Sequence, residues 1–288
     1  MKPSFAIVGC GRVGTALGRQ LVKTGYKLVG LASKTITSAE KAAGIIGTGE
    51  AFQTPWEASK SADVVFITTP DGVINECCEE ISKKKGFKKD AIVLHCSGAL
   101  PSTILSGAKK CNVLTGSMHP LQSFATSYKS GNPFEGIVIS VEGDKAAVDI
   151  SKKIAKELGA VSIEIKTDGK AMYHASAVAA SNYLVTLMDF AFKILREAGI
   201  PENEAFKVLS PLVEGTLANI ENVGTIKALT GPIARGDIST IKTHLENISD
   251  KSPELLNLYK TLGFYTTEIA KQKGTINEST AGELKKIF

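Results

Sequence analysis

Phe5-Ala6-Ile7-Val8-Gly9-Cys10-Gly11-Arg12-Val13-Gly14 decides the fold of this chain. The apolar run 5–8 predicts a strand, the glycines a sharp turn, and residues 15–24 a helix. Gly9-x-Gly11-x-x-Gly14 between strand and helix is the dinucleotide-binding fingerprint in its required setting. Gly9 permits the turn, Gly11 lets a pyrophosphate approach the backbone, and Gly14 lets helix and strand pack closely. The helix N-terminus offers unpaired N–H donors and a partial positive charge to the phosphates. Cys10, Arg12 and Val13 complete the candidate cofactor-binding loop.

The second strand, read at 27–32, ends in Ala32-Ser33-Lys34-Thr35, with no acid before Glu40. A carboxylate there would accept from a ribose 2′-hydroxyl and repel a 2′-phosphate. Ser33 and Lys34 instead donate, and Arg12 can reach the same region, so the residues favour NADP over NAD. The plainer alternative is that Lys34 is an ordinary solvated loop lysine.

The 288 residues suit two domains, and 43% hydrophobic with 22% charged residues is a soluble globular composition. The net charge of +5 is spread out, with no basic stripe interleaved with aromatics, which argues against nucleic acid as a partner. It suits a phosphorylated cofactor and a small anionic substrate. No signal peptide and no uninterrupted membrane-length apolar run are visible, so a cytoplasmic protein without membrane contact is expected. Cys10, Cys77, Cys78, Cys96 and Cys111 lack zinc-type spacing, so reduced thiols and no metal site are expected.

Outward from the fingerprint, strands read at 64–68, 92–96, 113–117 and 137–141 alternate with helices at 38–44, 72–84 and 145–158. That alternation predicts an α/β Rossmann domain, doubly wound and mostly parallel, over residues 1–166. Residues 170–198 then read as one long helix, followed by helices at 202–222, 239–247 and 253–272 without a strand. Residues 167–288 are therefore expected to be all-α, serving substrate binding and dimerisation. An Ala-rich long helix would otherwise expose much apolar surface, which predicts a homodimer through the helical domain.

Ligands of such sheets sit at the carboxyl ends of the strands. There the sequence places Thr69 and Pro70 as nicotinamide-side contacts, with Asp71 read as a helix cap. His95-Cys96-Ser97-Gly98 and Gly116-Ser117-Met118-His119-Pro120-Leu121-Gln122-Ser123 follow the next two strands. Ser97, His119 and Gln122 together suggest a polar pocket, although a single such histidine is more often structural. In Lys170-Ala-Met-Tyr-His174 and on to Ser181-Asn182, helical spacing puts Lys170, His174 and Ser181 on one stripe. Asn182 lies off that stripe. Arg235, in Gly231-Pro-Ile-Ala-Arg235-Gly-Asp237, could grip a carboxylate or anchor its loop, with Asp237 or Ser239 capping the next helix.

A Rossmann domain followed by a long helix opening on Lys170 resembles the 6-phosphogluconate dehydrogenase-like superfamily. That group includes β-hydroxyacid dehydrogenases, ketopantoate reductases, pyrroline-carboxylate reductases and prephenate dehydrogenases. Two of its branches carry Lys-x-x-x-Asn where this chain has Lys170 and His174, and Gly-Ser-Met-His119-Pro resembles a prephenate dehydrogenase segment. The combination His-Cys-Ser-Gly, His-Pro-Leu-Gln-Ser and Tyr-His-Ala…Ala-Ser-Asn-Tyr is closest to a Rossmann domain joined to a DUF2520 domain. The resemblance implies an NADP oxidoreductase reducing a small 2-keto acid, ketopantoate being the best single substrate. Lys170 would donate the proton or stabilise the oxyanion, His174 would hold the carbonyl oxygen or share the acid role, and His119 and Ser97 would assist. Gln122, Ser181, Asn182 and Arg235 would bind substrate. A prephenate-like oxidation and a non-catalytic NADP-sensing module remain open alternatives.

Overall fold

The computed structural model describes residues 2–124 and 131–288. It begins with strand β1 (Ser4–Val8), helix α1 (Arg12–Lys23), β2 (Lys27–Ala32) and α2 (Ile36–Ile46). A short strand β3 (Ala51–Phe52) and helix α3 (Pro55–Ser59) lead to β4 (Val64–Ile67), α4 (Asp71–Lys83) and β5 (Ile92–His95). Then come α5 (Ser106–Lys109), β6 (Leu114–Pro120), β7 (Val138–Gly143), α6 (Lys145–Glu157) and β8 (Val161–Glu164). The remaining elements are all helical: α7 (Lys170–Glu197), α8 (Glu202–Ala228), α9 (Pro232–Arg235), α10 (Ile238–Lys251), α11 (Leu256–Lys273) and α12 (Glu278–Ile287).

One eight-stranded sheet has the order β3-β2-β1-β4-β5-β6-β7-β8. The pairs from β3 through β6 are parallel, β6 and β7 are antiparallel, and β7 and β8 are parallel. This is the expected Rossmann-like sheet with two reversed strands added beyond β6. The strand order reverses between β1 and β4, so the crevice lies between Gly9 and the Thr68-Thr69 turn.

Residues 5–8 show why the run is apolar throughout. Phe5 and Ile7 pack with Leu17, Leu21 and Phe66 in one core, while Ala6 and Val8 join Val65, Ile67 and Ile74 in a second. Alternate side chains enter opposite layers, so a strand covered on both faces has no polar side. Gly30 and Gly116 sit where helices press on the sheet: a Cβ at Gly30 would lie 2.2 Å from the Ala58 carbonyl oxygen.

The strands and helices read from the sequence are present with shifted ends. Not anticipated were β3, α3, α5, β8, α9 and α12, all short and lacking a long periodic pattern. The chain divides into compact units Met1–Ala180 and Ser181–Phe288, later than the boundary at residue 166. The cause is the opening of α7: Lys170 is buried and bonds Ser117 of β6, so these turns belong with the sheet. The expectation of no membrane-length apolar segment also changes. Thr167–Glu197 is long and apolar enough to span a bilayer by length and composition. Its scattered Ser, His and Asn residues interrupt the run but leave the segment apolar on average.

In the second unit, Asp237 caps α10 by accepting from the Thr240 N–H at 3.1 Å, as the sequence suggested. Ile241, Ala270, Ile276, Ala281 and Leu284 form its largest buried cluster. No strand occurs among the described residues of this unit.

Candidate active site

The glycine loop has the geometry its spacing predicts. Gly9 has φ +106°, and a Cβ there would lie 2.6 Å from the Thr69 amide nitrogen. A Cβ on Gly14 would lie 2.3 Å from the Gly9 carbonyl oxygen and 2.4 Å from Thr68 Oγ1. Gly11 faces open space, with nothing within 4 Å of the same position. Gly11 is also the N-cap of α1, with no capping side chain and no acidic residue in the first turn. The helix N-terminus is therefore unneutralised and its approach is clear, as a pyrophosphate needs.

Further along the crevice, Thr69 Oγ1 is buried without a hydrogen-bond partner. An orphaned hydroxyl there is the kind of group a bound ribose or nicotinamide would satisfy. These features fit a dinucleotide cofactor. Pro70, three residues after the end of β4, is the N-cap of α4. Cys10 is held neutral, its thiol pushed up to about 11 by burial, and donates to the Ala32 carbonyl at 3.4 Å. Val13 occupies the first turn of α1. Ser33 is half-buried and Lys34 exposed just beyond β2. Arg12 is exposed and donates to the Phe124 carbonyl at 3.2 Å. A groove of about 320 Å³ opens beside the loop, with Arg12, Arg19, Ser38 and Lys41 on its walls.

A polar cluster lies at the carboxyl ends of β4, β5 and β6. Asp71 does not cap α4; the N-cap is Pro70, and Asp71 Oδ2 accepts from Ser97 Oγ at 2.8 Å. A carboxylate and a hydroxyl from adjacent strand ends satisfy each other more directly than the helix amides would. Ser97 Oγ also accepts from the amides of Ala99 and Leu100, so this buried serine builds the loop. The Ser97 amide donates to His95 Nδ1 at 3.2 Å, which leaves the proton of the neutral ring on Nε2. His95 Nε2 has no partner within hydrogen-bond distance. Burial, then the Lys170 charge, pushes His95 down to about 3, and the Pro101 carbonyl offsets this only in part.

Lys170 is 1% exposed, and its ammonium donates to Ser117 Oγ, which donates to the Ser97 carbonyl at 3.5 Å. Glu142 Oε1 lies 3.8 Å from Lys170 Nζ. Burial pushes Lys170 down to about 8, opposed chiefly by the Glu142 charge. One turn on, His174 Nδ1 is buried and unpartnered, and Tyr173 OH lies 3.3 Å from His119 Nδ1. Burial, then Lys170 and His174, pushes His119 down to about 4. Both histidines close on Gly98: a Cβ there would lie 2.5 Å from His174 Nδ1 and 2.8 Å from His119 Nε2. Only glycine lets the loop pass between the two rings.

The structure thus unites Lys170, His174, His119 and Ser97. It does not add Gln122, whose side chain accepts from the neighbouring Ser123 amide on the surface. Ser181 and Asn182 are exposed residues of the second unit, while Lys170 and His174 of the same stripe belong to the first. Arg235 is exposed at the end of α9, its charge felt by Asp237. Glu142, Tyr173 and Ser117 were missed as site residues. Glu142 stands at the end of an apolar strand run, a position where a buried carboxylate was a readable signal.

Fold and site define a Rossmann-like sheet domain with a polar cluster at its strand ends, followed by a helical domain. Residues 2–120 match the Rossmann-like domain model, and residues 137–266 match DUF2520, a domain of unknown function. The chain therefore carries a Rossmann-like domain joined to a DUF2520 domain. No functionally curated protein matches it in sequence. A proposed NADP oxidoreductase from Bacteroides fragilis is 23% identical, with TM-score 0.75 over 93% of this chain and 98% of the other. Protein TM1727 from Thermotoga maritima is 28% identical, with TM-score 0.70 over 93% and 99%. The NADP-bound pyrroline carboxylate reductase of Plasmodium falciparum is 12% identical, with TM-score 0.58 over 99% and 98%.

Proposed function

We propose that this protein is an NADPH-dependent reductase of a small 2-keto acid, with ketopantoate as the best single substrate. The observation that carries this reading is the cluster of Lys170, His119 and His174, which Ser117 and Ser97 connect to Asp71, two residues beyond the orphaned Thr69 hydroxyl of the cofactor crevice. NADP is supported by Ser33 and Lys34 in place of an acid, by the cations beside the glycine loop, and by the NADP bound to the Plasmodium falciparum reductase of similar fold.

When bound, the dihydronicotinamide supplies a hydride to the carbonyl carbon. The chain must then meet charge growing on the carbonyl oxygen and deliver one proton. Lys170, pushed down to about 8, is still mostly an ammonium at pH 7 and supplies positive field and a proton. His119, pushed down to about 4, is neutral at pH 7. When Tyr173 donates to its Nδ1, its Nε2–H is free to donate to the oxygen. His174 Nδ1 is the unpartnered group best suited to a polar substrate atom. Burial of Ser117, Lys170 and Glu142 keeps water from the ion pair.

The test is loss of absorbance at 340 nm with NADPH and a panel of 2-keto acids, ketopantoate included, beside cyclic imines. Lys170→Ala is expected to lose about 100-fold or more in kcat while NADPH affinity stays within about threefold. Turnover retained in Lys170→Ala would overturn the catalytic role. NADPH binding without turnover on any substrate would favour the sensing module, and decarboxylating oxidation of prephenate would favour the oxidative alternative.

A further inference from the structure

We propose that Glu142 is the positioning residue that keeps the buried Lys170 side chain charged and fixed between β6 and β7. The consequence for turnover rests on the reductase reading above; the electrostatic role itself does not. The β6–β7 register sets Ser117 directly opposite Glu142, which puts the two side chains on one face of the sheet. Lys170 enters that face from the first turn of α7, donates to Ser117 Oγ and stands 3.8 Å from Glu142 Oε1.

The carboxylate is itself fixed from two more directions. Its Oε1 accepts from the Ser102 amide at 2.7 Å, and its Oε2 from Ser102 Oγ at 2.7 Å and Thr167 Oγ1 at 2.9 Å. Ser102 belongs to the loop after β5, and Thr167 to the turn before α7. One buried side chain therefore ties the β5 loop, β7 and the entry to α7 around the lysine.

No other group facing Lys170 is an anion within ion-pair distance of it among the described residues. Cys96 is pushed up to about 12 by burial and carries no charge at neutral pH. Asp71 adds to the support of the ammonium, but from outside ion-pair distance and while hydrogen-bonded to Ser97. His95 and His119 are both disfavoured as cations by Lys170 itself. The cation also sits at a helix N-terminus, where the backbone dipole opposes it, so it depends on a nearby anion. Among the described residues, Glu142 is the carboxylate within ion-pair distance of Lys170.

The experiment is NMR titration of the full-length protein labelled with [ε-¹³C]lysine, the Lys170 resonance assigned by its disappearance in Lys170→Met. Glu142→Gln removes the negative charge, so the ammonium loses support and the Lys170 midpoint falls by about one pH unit or more. Glu142→Asp keeps the charge and should restore most of that fall. An unchanged midpoint in Glu142→Gln overturns the proposal. Should either variant fail to fold, the wild type decides by [δ-¹³C]glutamate labelling: the Glu142 carboxyl resonance must inflect at the Lys170 midpoint. A flat response there also overturns it. In the turnover assay the basic limb of kcat should move to lower pH by the same interval in Glu142→Gln. A shifted titration without turnover on any substrate would sink the reductase reading and leave the Glu142 role standing.

Discussion

Gly11 and Gly14 stand three residues apart and have opposite reasons for being glycine. At Gly11 a methyl group meets nothing within 4 Å, whereas at Gly14 it collides with the Gly9 carbonyl and Thr68. Gly11→Ala should therefore keep its thermal midpoint within about 2 °C while weakening NADPH about tenfold or more, since the methyl fills the pyrophosphate approach. Gly14→Ala should lose about 2 kcal/mol or more in stability before any ligand is added. Calorimetric melting with NADPH titration separates the two outcomes. Ser33→Asp/Lys34→Ala should exchange the NADPH preference for NADH, read by competition between the cofactors. The histidines set the acid side. The folded-state values of His119 and His95 lie below the ordinary 6.5, near 4 and 3, so the unfolded chain binds more protons than the native one as pH falls from 6.5. Stability contributed above pH 6.5 is thus lost on acidification, about 1.4 kcal/mol per pH unit per histidine until each native value is reached. Urea midpoints at pH 7, 6, 5 and 4.5 should fall accordingly, and less steeply in His119→Asn.

The antiparallel pair β6–β7 and the long helices act at the level of the element. Ending the parallel order at β6 places β7 beside it with Ser117 opposite Glu142, and the opening of α7 inserts Lys170 against both. A strand run and a helix cap rule together could not show that meeting. Helix α8 is interrupted at Gly224, with φ +77° and ψ 165°, a conformation open in practice to glycine. Gly224→Ala should cost about 1–3 kcal/mol and act on the helical unit. Hydrogen exchange over α8 should quicken while the sheet unit keeps its protection; unchanged exchange there would refute the assignment of strain.

At the scale of the molecule, the helical unit leaves much apolar surface uncovered. Tyr183, Val185, Phe206 and Leu212 are each at least 63% exposed. We propose a second copy of the chain as the cover, consistent with the dimer expected from the Ala-rich helix. Sedimentation equilibrium should give twice the chain mass, and Phe206→Glu/Leu212→Glu should return it to the monomer mass. A wild-type monomer that floats with anionic vesicles would instead assign α7 to a membrane.

Local physics accounts for the part of this structure that is legible along the chain. Gly9-x-Gly11-x-x-Gly14 needs only neighbouring residues to prescribe strand, turn and helix, and alternating apolar runs prescribe a sheet covered on both faces. Lys170 and His174 share a helix face by spacing alone, so their place on one stripe was legible too. Whether Asp71 capped its helix depended on a partner far away in the chain. Ser97 captured Asp71 across 26 positions, and Glu142 met Lys170 because β7 reverses beside β6. Hydrogen bonds and ion pairs are local in space but not along the chain. The sequence therefore specified the elements and the cofactor loop, and the tertiary packing chose which charges stand together in the dry interior.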